Sequence, residues 1–106
     1  MYIGRFAPTP SGPLHFGSII TALASYLDAK NNKGIWKIRI DDIDSPRVVK
    51  GAESAILSIL ENLGLFWDDE IFRQSKNVKS YENYFEILCK ENLTYNCQCS
   101  RKKIIS

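Results

Sequence analysis

Residues 16–40 decide the fold, and they read FGSIITALASYLDAKNNKGIWKIRI. The first half of this stretch places apolar residues three and four positions apart, which is the spacing of one face of an α-helix. Gly34 follows Asn31 and Asn32, and it suits the left-handed cap that ends a helix. Residues 35–40 then alternate in side-chain character, which predicts a β-strand. The helical stripe consists of Phe16, Ile19, Ile20, Leu23, Ala24 and Leu27.

The segments on either side extend this pattern. Residues 1–6 form a short apolar segment that predicts a first strand, so strand, helix and strand make a βαβ unit with a parallel pair. Residues 52–63 repeat the helical spacing, and residues 71–75 predict a third short strand. A third helix is expected at about 77–92, and the chain is expected to turn helical again after Ser100. This order of elements predicts an α/β fold with a doubly wound sheet in one small domain.

The composition is that of an ordinary globular protein, since 44% of the 106 residues are hydrophobic and 25% are charged. The formal net charge of +2 is too weak to indicate nucleic-acid binding by itself. No apolar run is long enough to span a membrane and no leader pattern opens the sequence, so we expect neither a membrane segment nor a secretion signal. Three cysteines, an odd number, favour a reducing compartment. We therefore expect a cytoplasmic protein.

The turn before the first helix is rich in proline and glycine. It reads RFAPTPSGPLHFGS from Arg5 to Ser18 and contains His15, the one histidine of the chain. In open α/β sheets, ligands bind beyond the carboxyl ends of the strands, where helix N-termini favour anions. Gly12 lets the backbone approach a ligand, and His15 can donate a hydrogen bond to a phosphate oxygen. The turn predicts a phosphate site that is not a Walker loop; the alternative is a proline-rich turn with a solvent-facing histidine.

An acidic cluster follows the second strand in RIDDIDSPR, residues 39–47. Asp41, Asp42 and Asp44 lie within four positions, and crowded carboxylates repel one another unless cations or donors meet them. One of these carboxylates could instead bind a ligand ammonium or a metal. The alternative is a solvated acidic turn capped by Arg47. The obvious cationic partners are Arg5, Arg39 and Arg47.

Cys97 and Cys99 form the third cluster, in the segment NCQC. On an extended chain, residues two apart point the same way, so both thiolates could reach one zinc ion. A disulfide between them is disfavoured by its geometry. Two ligands do not complete a zinc site, and two free thiols are the alternative.

Taken together, these segments resemble one enzyme family, the glutamate-specific class I aminoacyl-tRNA synthetases. RFAPTPSGPLHFGS resembles the first signature of that family, and its LHFGS matches the family's HIGH-type element. RIDDIDSPR resembles the family's R-I-E-D-x-D-x-x-R segment. The stretches LGLFWDD, RQS and YNCQCSRKKI match the connecting regions and the start of a zinc-binding insertion. The resemblance covers nearly the whole chain, in order and at the expected spacings.

The resemblance implies the N-terminal half of a Rossmann-like class I synthetase catalytic domain. Residues 1–96 would form that half, and residues 97–106 the start of the zinc-binding insertion. Family members are ligases that activate L-glutamate with ATP and Mg²⁺. PSGPLHFGS and DDIDSPR are most similar to a branch that transfers the glutamate to queuosine in the anticodon of tRNA(Asp). Two alternatives stay open: charging of the tRNA 3′ end, and a non-catalytic remnant that binds a nucleotide or tRNA.

The resemblance also implies roles for individual residues. Arg5 would pair with the substrate carboxylate, and Asp41 would hold the substrate ammonium. The implied catalytic residues of the HIGH-type element are His15 and Gly17. The implied glutamate site consists of Arg5, Phe6, Ala7, Pro8, Thr9 and Asp41. The implied ATP site consists of Pro8, Thr9, Ser11, Gly12, His15, Gly17 and Ser18. Cys97 and Cys99 would be the first two zinc ligands.

The sequence departs from the family pattern at several points. Asp41 stands where the family has glutamate and is one methylene shorter, so its contact with an ammonium would need a shift or a water. Thr9 stands in place of a serine. The family's later zinc ligands, its second amino-acid-binding segment and its KMSKS-type lysine do not occur within residues 1–106. We therefore expect this stretch to hold an incomplete site.

Overall fold

The computed structural model describes residues 1–105, and its elements follow the predicted order. Both outer strands are shorter than predicted, while the three long helices lie where the helical spacing places them. The strands are β1 (Ile3–Phe6), β2 (Ile35–Ile40) and β3 (Phe72–Arg73), and the helices are α1 (Phe16–Asn31), α2 (Ala52–Asn62), α3 (Val78–Lys90) and α4 (Arg101–Ile105). Two 3₁₀ turns, Ser45–Arg47 and Gln74–Asn77, precede α2 and α3.

The three strands form one parallel sheet in the order β1-β2-β3. Ile3 lies opposite Ile35, and Arg5 lies opposite Lys37. This pairing confirms the predicted βαβ unit. Because the strands run parallel, the loops that follow β1 and β2 leave the sheet at the same edge, which is the edge where open α/β sheets bind ligands.

Small residues bring α1 close to the sheet. Ala22 and Ala29 are fully buried, and a Cβ built on Gly4 would lie 2.9 Å from the Cβ of Ala29. The large side chains of the predicted apolar stripe point away from this contact. Phe16 is 77% exposed and Leu27 is 55% exposed. The close approach of the backbones explains this arrangement, because only side chains the size of alanine fit between α1 and β1.

Trp36 lies at the centre of the core and is fully buried. Its ring stacks on Phe6, with centroids 6.3 Å apart, and meets Tyr26 edge-on at 5.3 Å. Its indole N–H donates to the Ser25 hydroxyl at 2.9 Å, so the buried polar atom is satisfied. Ile56 from α2 completes the same cluster and is fully buried. The core thus lies between the sheet and the helices α1 and α2.

Asp68 fastens the chain after α2 to the start of β2. Its carboxylate accepts from the backbone N–H of Trp36 at 2.8 Å and from the ammonium of Lys30 at 2.7 Å. The hydrogen bond from Lys30, followed by the one from the Trp36 backbone, lowers the pKa of Asp68 below its ordinary value. A carboxylate with a depressed folded-state pKa stabilises the fold at neutral pH, and this stabilisation is lost as pH falls below about 4.

We expect Asp68→Asn to reduce the acid sensitivity of the fold. The substitution removes the charge that Lys30 recognises, so stability at pH 7 should fall while the difference between pH 7 and pH 3 shrinks. Denaturant unfolding at the two pH values measures this. The matched control is Asp69→Asn, because Asp69 forms an exposed ion pair with Lys37 at 3.0 Å, and such pairs contribute little. Equal pH dependence in the parent and Asp68→Asn would contradict the assignment.

Much apolar surface remains open to solvent. No residue of α3 is buried, and Tyr84 and Phe85 are 67% and 59% exposed. The radius of gyration is 16.8 Å, against about 13 Å for a compact domain of this length. The outer edge of β1 pairs with no strand among residues 1–105. The described residues therefore leave a large part of their apolar surface uncovered. Within the same residues, no helix combines the length and apolarity needed to cross a membrane.

Candidate functional site

The loop between β1 and α1 surrounds a hollow of about 400 Å³. This hollow, which we call the loop hollow, lies above the N-terminus of α1, where unpaired backbone N–H groups and the helix dipole favour an anion. A Cβ built on Gly12 would meet nothing within 4 Å, so the space over that backbone is open. Six of the seven predicted ATP residues line the hollow: Pro8, Thr9, Ser11, Gly12, His15 and Ser18.

His15 caps α1 rather than facing solvent freely. Its Nδ1 accepts from the backbone N–H of Ser18 at 3.3 Å, and its Nε2 lies 3.1 Å from the Ser18 hydroxyl oxygen. If Nδ1 accepts, Nε2 carries the proton and donates to Ser18 Oγ. The Ser18 hydroxyl is then free to donate toward the hollow. The sequence predicted His15 as a donor to a phosphate, and in the structure both His15 and its partner Ser18 line the hollow.

Gly17 does not line the loop hollow, although it was predicted as part of the ATP site. A Cβ at this position would lie 3.2 Å from Cε1 of the His15 ring. The glycine therefore leaves room for the imidazole in its capping position. Its contribution in this structure is to the placement of His15.

Backbone hydrogen bonds tie the second loop to the first. The N–H of Asp41 donates to the carbonyl of Pro8 at 2.9 Å, and the N–H of Val49 donates to the carbonyl of Pro10 at 2.9 Å. Pro8 and Pro10 are both buried. The two loops thus lie together at one edge of the sheet, as predicted from the parallel strands.

Two carboxylates of the acidic cluster are held by arginines. Asp41 accepts from Arg39 through both oxygens, at 2.6 and 2.9 Å. Asp44 accepts from Nε of Arg47 at 2.6 Å. The prediction that Arg39 and Arg47 meet the cluster is confirmed. The same prediction is wrong for Arg5, which lies opposite Lys37 and forms no ion pair with these carboxylates.

Asp42 has a different partner, which sequence reasoning missed. It accepts from the backbone N–H of Ser75 at 2.8 Å and from the Ser75 hydroxyl at 2.7 Å. Partial burial alone would raise the pKa of Asp42, but the hydrogen bonds from Ser75 outweigh it and hold that pKa below its ordinary value. Asp42 therefore fixes the segment after β3 to the site. Among residues 1–105, no group of three metal-ligating side chains comes together, so the cluster forms ion pairs and hydrogen bonds there.

Arg5 lies on the sheet face opposite the core and lines a second hollow, of about 420 Å³, with Tyr81 from α3. Lys37 and Arg39 share this face, but Asp69 and Asp41 pair with them. Arg5 forms no ion pair or side-chain hydrogen bond with any other residue from 1 to 105. It is therefore the cation of this face that is available to an external carboxylate.

Arg47 is the functional candidate that sequence reasoning left out of the ATP site. It was predicted as a partner of the acidic cluster, and it also lines the loop hollow. The signal available from sequence is its position at the end of the short turn Ser45–Arg47, close to the carboxyl end of β2.

Cys97 and Cys99 are both exposed and follow α3 in a segment without regular structure. The described part of the chain brings no third histidine, cysteine, aspartate or glutamate to them. A structural zinc site needs four donors, of which two cysteines can provide at most two. Zinc binding by these residues stays a prediction.

Comparison with known proteins agrees with this architecture. The family described as tRNA synthetases class I (E and Q), catalytic domain, matches residues 3–105. A glutamyl-Q tRNA(Asp) synthetase of Photorhabdus laumondii is 55% identical over 103 residues, and one of Bordetella bronchiseptica is 50% identical over 103 residues. Each match covers 97% of this chain but only 33% and 32% of the relatives. The chain thus spans about a third of the length of the curated relatives it matches.

A solved structure has the same fold. The glutamate tRNA ligase of Elizabethkingia meningosepticum, in complex with its amino acid, superposes with a TM-score of 0.78 at 41% sequence identity. The superposed region covers 83% of this chain and 19% of that protein. The family match extends over almost the entire sequence, including both loops of the site. The chain therefore belongs to the class I tRNA synthetases for glutamate and glutamine, and its residues 3–105 match their catalytic domain.

Proposed function

We propose that the chain contributes to ATP-dependent activation of L-glutamate and its transfer to queuosine of tRNA(Asp). The observation that carries this proposal is the guanidinium of Arg5, which has no ion pair among residues 1–105, lies on the same sheet face as the Arg39–Asp41 pair and directly precedes the loop whose hollow is suited to phosphate. The names and high identity of the Photorhabdus and Bordetella proteins support the choice of acceptor. The proposal concerns the whole enzyme, of which this chain spans about a third.

The proposed reaction needs positioning more than a covalent nucleophile. A carboxylate oxygen of glutamate attacks the α-phosphorus of ATP, the bond to the pyrophosphate oxygen breaks, and pyrophosphate leaves. A nucleophile of the acceptor then attacks the carbonyl carbon of the adenylate, and AMP leaves. Mg²⁺, which the family uses with ATP, neutralises part of the phosphate charge. Groups that hold the reactants in line can supply several kcal/mol of the barrier.

Different residues of this chain bind the carboxylate of glutamate, its ammonium group and the phosphates of ATP. Arg5 binds the glutamate carboxylate through its planar fork, and Asp41 holds the ammonium with the oxygen lone pairs that Arg39 leaves free. His15 and Ser18 present a donor to the phosphates at the N-terminus of α1. Gly17 keeps the imidazole in place. The segment between the two substrates consists of Phe6, Ala7, Pro8 and Thr9. Ser11 and Gly12 lie beside the phosphates.

The domain division and the location of the protein belong to the same proposal. Residues 1–96 form the first half of the catalytic domain, and residues 97–106 begin a zinc-binding insertion, with Cys97 and Cys99 as two of its ligands. No step of the proposed reaction uses zinc. The enzyme acts in the cytoplasm, where its tRNA substrate and ATP are found.

We expect Arg5→Ala to raise the KM for glutamate by about tenfold to a hundredfold, because a charge-assisted arginine–carboxylate pair contributes about 1.5–3 kcal/mol. The KM for ATP should change little. Steady-state ATP–pyrophosphate exchange measures both in a chimaera in which residues 1–105 replace the matching residues of the Photorhabdus relative. Lys37→Ala is the matched control, since Lys37 lies on the same face but pairs with Asp69. Equal changes in both KM values would show that Arg5 acts structurally.

The acceptor is tested by transferring labelled glutamate to tRNA(Asp) with the same chimaera. Nuclease digestion and mass mapping locate the label at the anticodon or at the 3′ end. Label on queuosine supports the proposal. Label at the 3′ end would favour the second candidate, 3′ charging, which the similarity to the glutamate tRNA ligase of Elizabethkingia supports. Absence of glutamate-dependent exchange in the chimaera would favour a binding remnant.

A further inference from the structure

Arg47 lines the loop hollow, and two of its three guanidinium nitrogens have no hydrogen-bond partner among residues 1–105. We propose that Arg47 binds a phosphate oxygen of the ligand in this hollow, and that Asp44 is its positioning residue. The inference rests on the proposed function, because it assumes that a phosphate-bearing substrate enters there.

The charges of the residues that line the hollow identify Arg47 as the group that can bind an anion there. Among residues 1–105, the others that line it are apolar or neutral apart from His15, and none of them is a carboxylate. The ring nitrogens of His15 are already occupied by Ser18. Several lining residues are prolines, which have no backbone N–H to offer. Arg47 is therefore the permanent cation that the hollow can present to a multiply charged anion.

The hydrogen bond to Asp44 uses only the Nε atom of Arg47. Asp44 accepts from Nε at 2.6 Å, while Nη1 and Nη2 make no hydrogen bond within residues 1–105. Those two nitrogens are free for a phosphate, for which the rigid guanidinium is well shaped. Because the Arg47 side chain is 69% exposed, a ligand can reach it without displacing the core.

The backbone also holds Arg47 close to the first loop. Its N–H donates to the carbonyl of Asp44 at 2.9 Å, within the short turn. Two residues later, Val49 is bonded to the carbonyl of Pro10. Arg47 is thus anchored on both sides, which reduces the conformational entropy lost when it meets a ligand.

Lys50 provides a matched control on the same segment. It is exposed, carries the same charge three residues further on, and does not line the hollow. A general electrostatic effect would be similar for Lys50→Ala and Arg47→Ala, whereas a specific contact would distinguish them.

The experiment measures binding to the chimaera described above by isothermal titration with Mg·ATP, with pyrophosphate and with tRNA(Asp). We expect Arg47→Ala to weaken binding of ATP and pyrophosphate by about tenfold to a hundredfold. Arg47→Lys should recover only part of the loss, since an ammonium cannot bind in a fork. Lys50→Ala should change each affinity less than about twofold, as a solvated surface charge does. Asp44→Asn should weaken binding in the parent but not in the Arg47→Ala background, which a merely structural role would not produce.

The possible outcomes distinguish three cases: Arg47 binds a nucleotide phosphate, it binds a nucleic-acid phosphate, or it makes no specific phosphate contact. Weaker binding of ATP and pyrophosphate assigns Arg47 to the nucleotide. A selective loss of tRNA binding, with the salt slope reduced by about one, assigns it to a nucleic-acid phosphate and still supports a phosphate contact. If Arg47→Ala and Lys50→Ala behave alike in an active chimaera, the inference is overturned while the proposed function stands. A parent chimaera that binds no ATP and shows no exchange would overturn both.

Discussion

The 106-residue chain by itself is expected to show no glutamate-dependent ATP–pyrophosphate exchange above background, a complete loss relative to the chimaera. It carries Arg5, Asp41 and the loop hollow, but the sheet ends at β1 among the described residues. In a doubly wound fold the ligand lies in a crevice between the two halves of the sheet. Residues 1–105 provide one side of such a crevice, with a sheet of three strands.

The open outer edge of β1 explains why we expect a complete loss of exchange activity. A hollow of about 960 Å³ runs along β1 and α1, and it is lined by Ile3, Gly4, Ile20 and Ala24 among others. Solvent in this space weakens each charged contact by raising the local dielectric. It also leaves the reactants without the positioning that lowers the barrier. The unpaired strand edge and exposed apolar residues should in addition make the isolated chain self-associate.

Exchange assays with the purified chain test this expectation, and light scattering measures its association state. His15→Ala in the same chain provides the background rate. Exchange clearly above that background would mean that residues 1–106 are a sufficient catalyst and that the site is not incomplete. A monodisperse monomer would contradict the expected association without bearing on the catalytic prediction.

We expect Trp36→Ala to be the most destabilising single substitution in this chain, with a loss of about 3–5 kcal/mol in the free energy of unfolding. Trp36 is fully buried, and its removal leaves a cavity between Phe6 and Tyr26. It also leaves the Ser25 hydroxyl without the indole N–H. The loss is comparable with the total stability of a small domain, so the variant should be largely unfolded.

Far-UV circular dichroism during urea titration measures this loss in the chimaera. Phe66→Ala is the control, because Phe66 is also a large aromatic residue but is 61% exposed. We expect the control to change stability by less than about 1 kcal/mol, as surface substitutions do. Similar losses for the two variants would mean that Trp36 does not anchor the core.

The periodicity of the sequence was sufficient to predict the elements. The alternation of residues 35–40 and the helical spacing in residues 16–27 and 52–63 are local properties of the chain, and β2, α1 and α2 formed where they indicated. The parallel pairing followed from the βαβ order. The ends of β1 and β3 were less well predicted, because a strand ends where its partner's hydrogen bonds end, and that depends on the neighbouring strand.

Side-chain orientation on α1 could not be predicted from its apolar stripe. The stripe identified a helix, but packing against Gly4 put Ala22 and Ala29 inside and left Leu27 exposed. The apolar pattern identified the helix, but it did not show which of the helix's side chains the sheet would cover.

The sequence by itself determined the parallel α/β fold, the family, and the loop in which the candidate site lies. It also indicated Arg39 and Arg47 as partners of the acidic cluster, and they pair with Asp41 and Asp44. Only the tertiary structure decided the long-range contacts: it brought Ser75 to Asp42 and left Arg5 without an ion pair among residues 1–105. The physical reason is that elements and pairs of near neighbours form from short-range spacing along the chain, whereas a contact such as Asp42–Ser75 depends on distances of a few ångströms between separate segments. Those distances are set by strand register and by the backbone bonds that join the two loops.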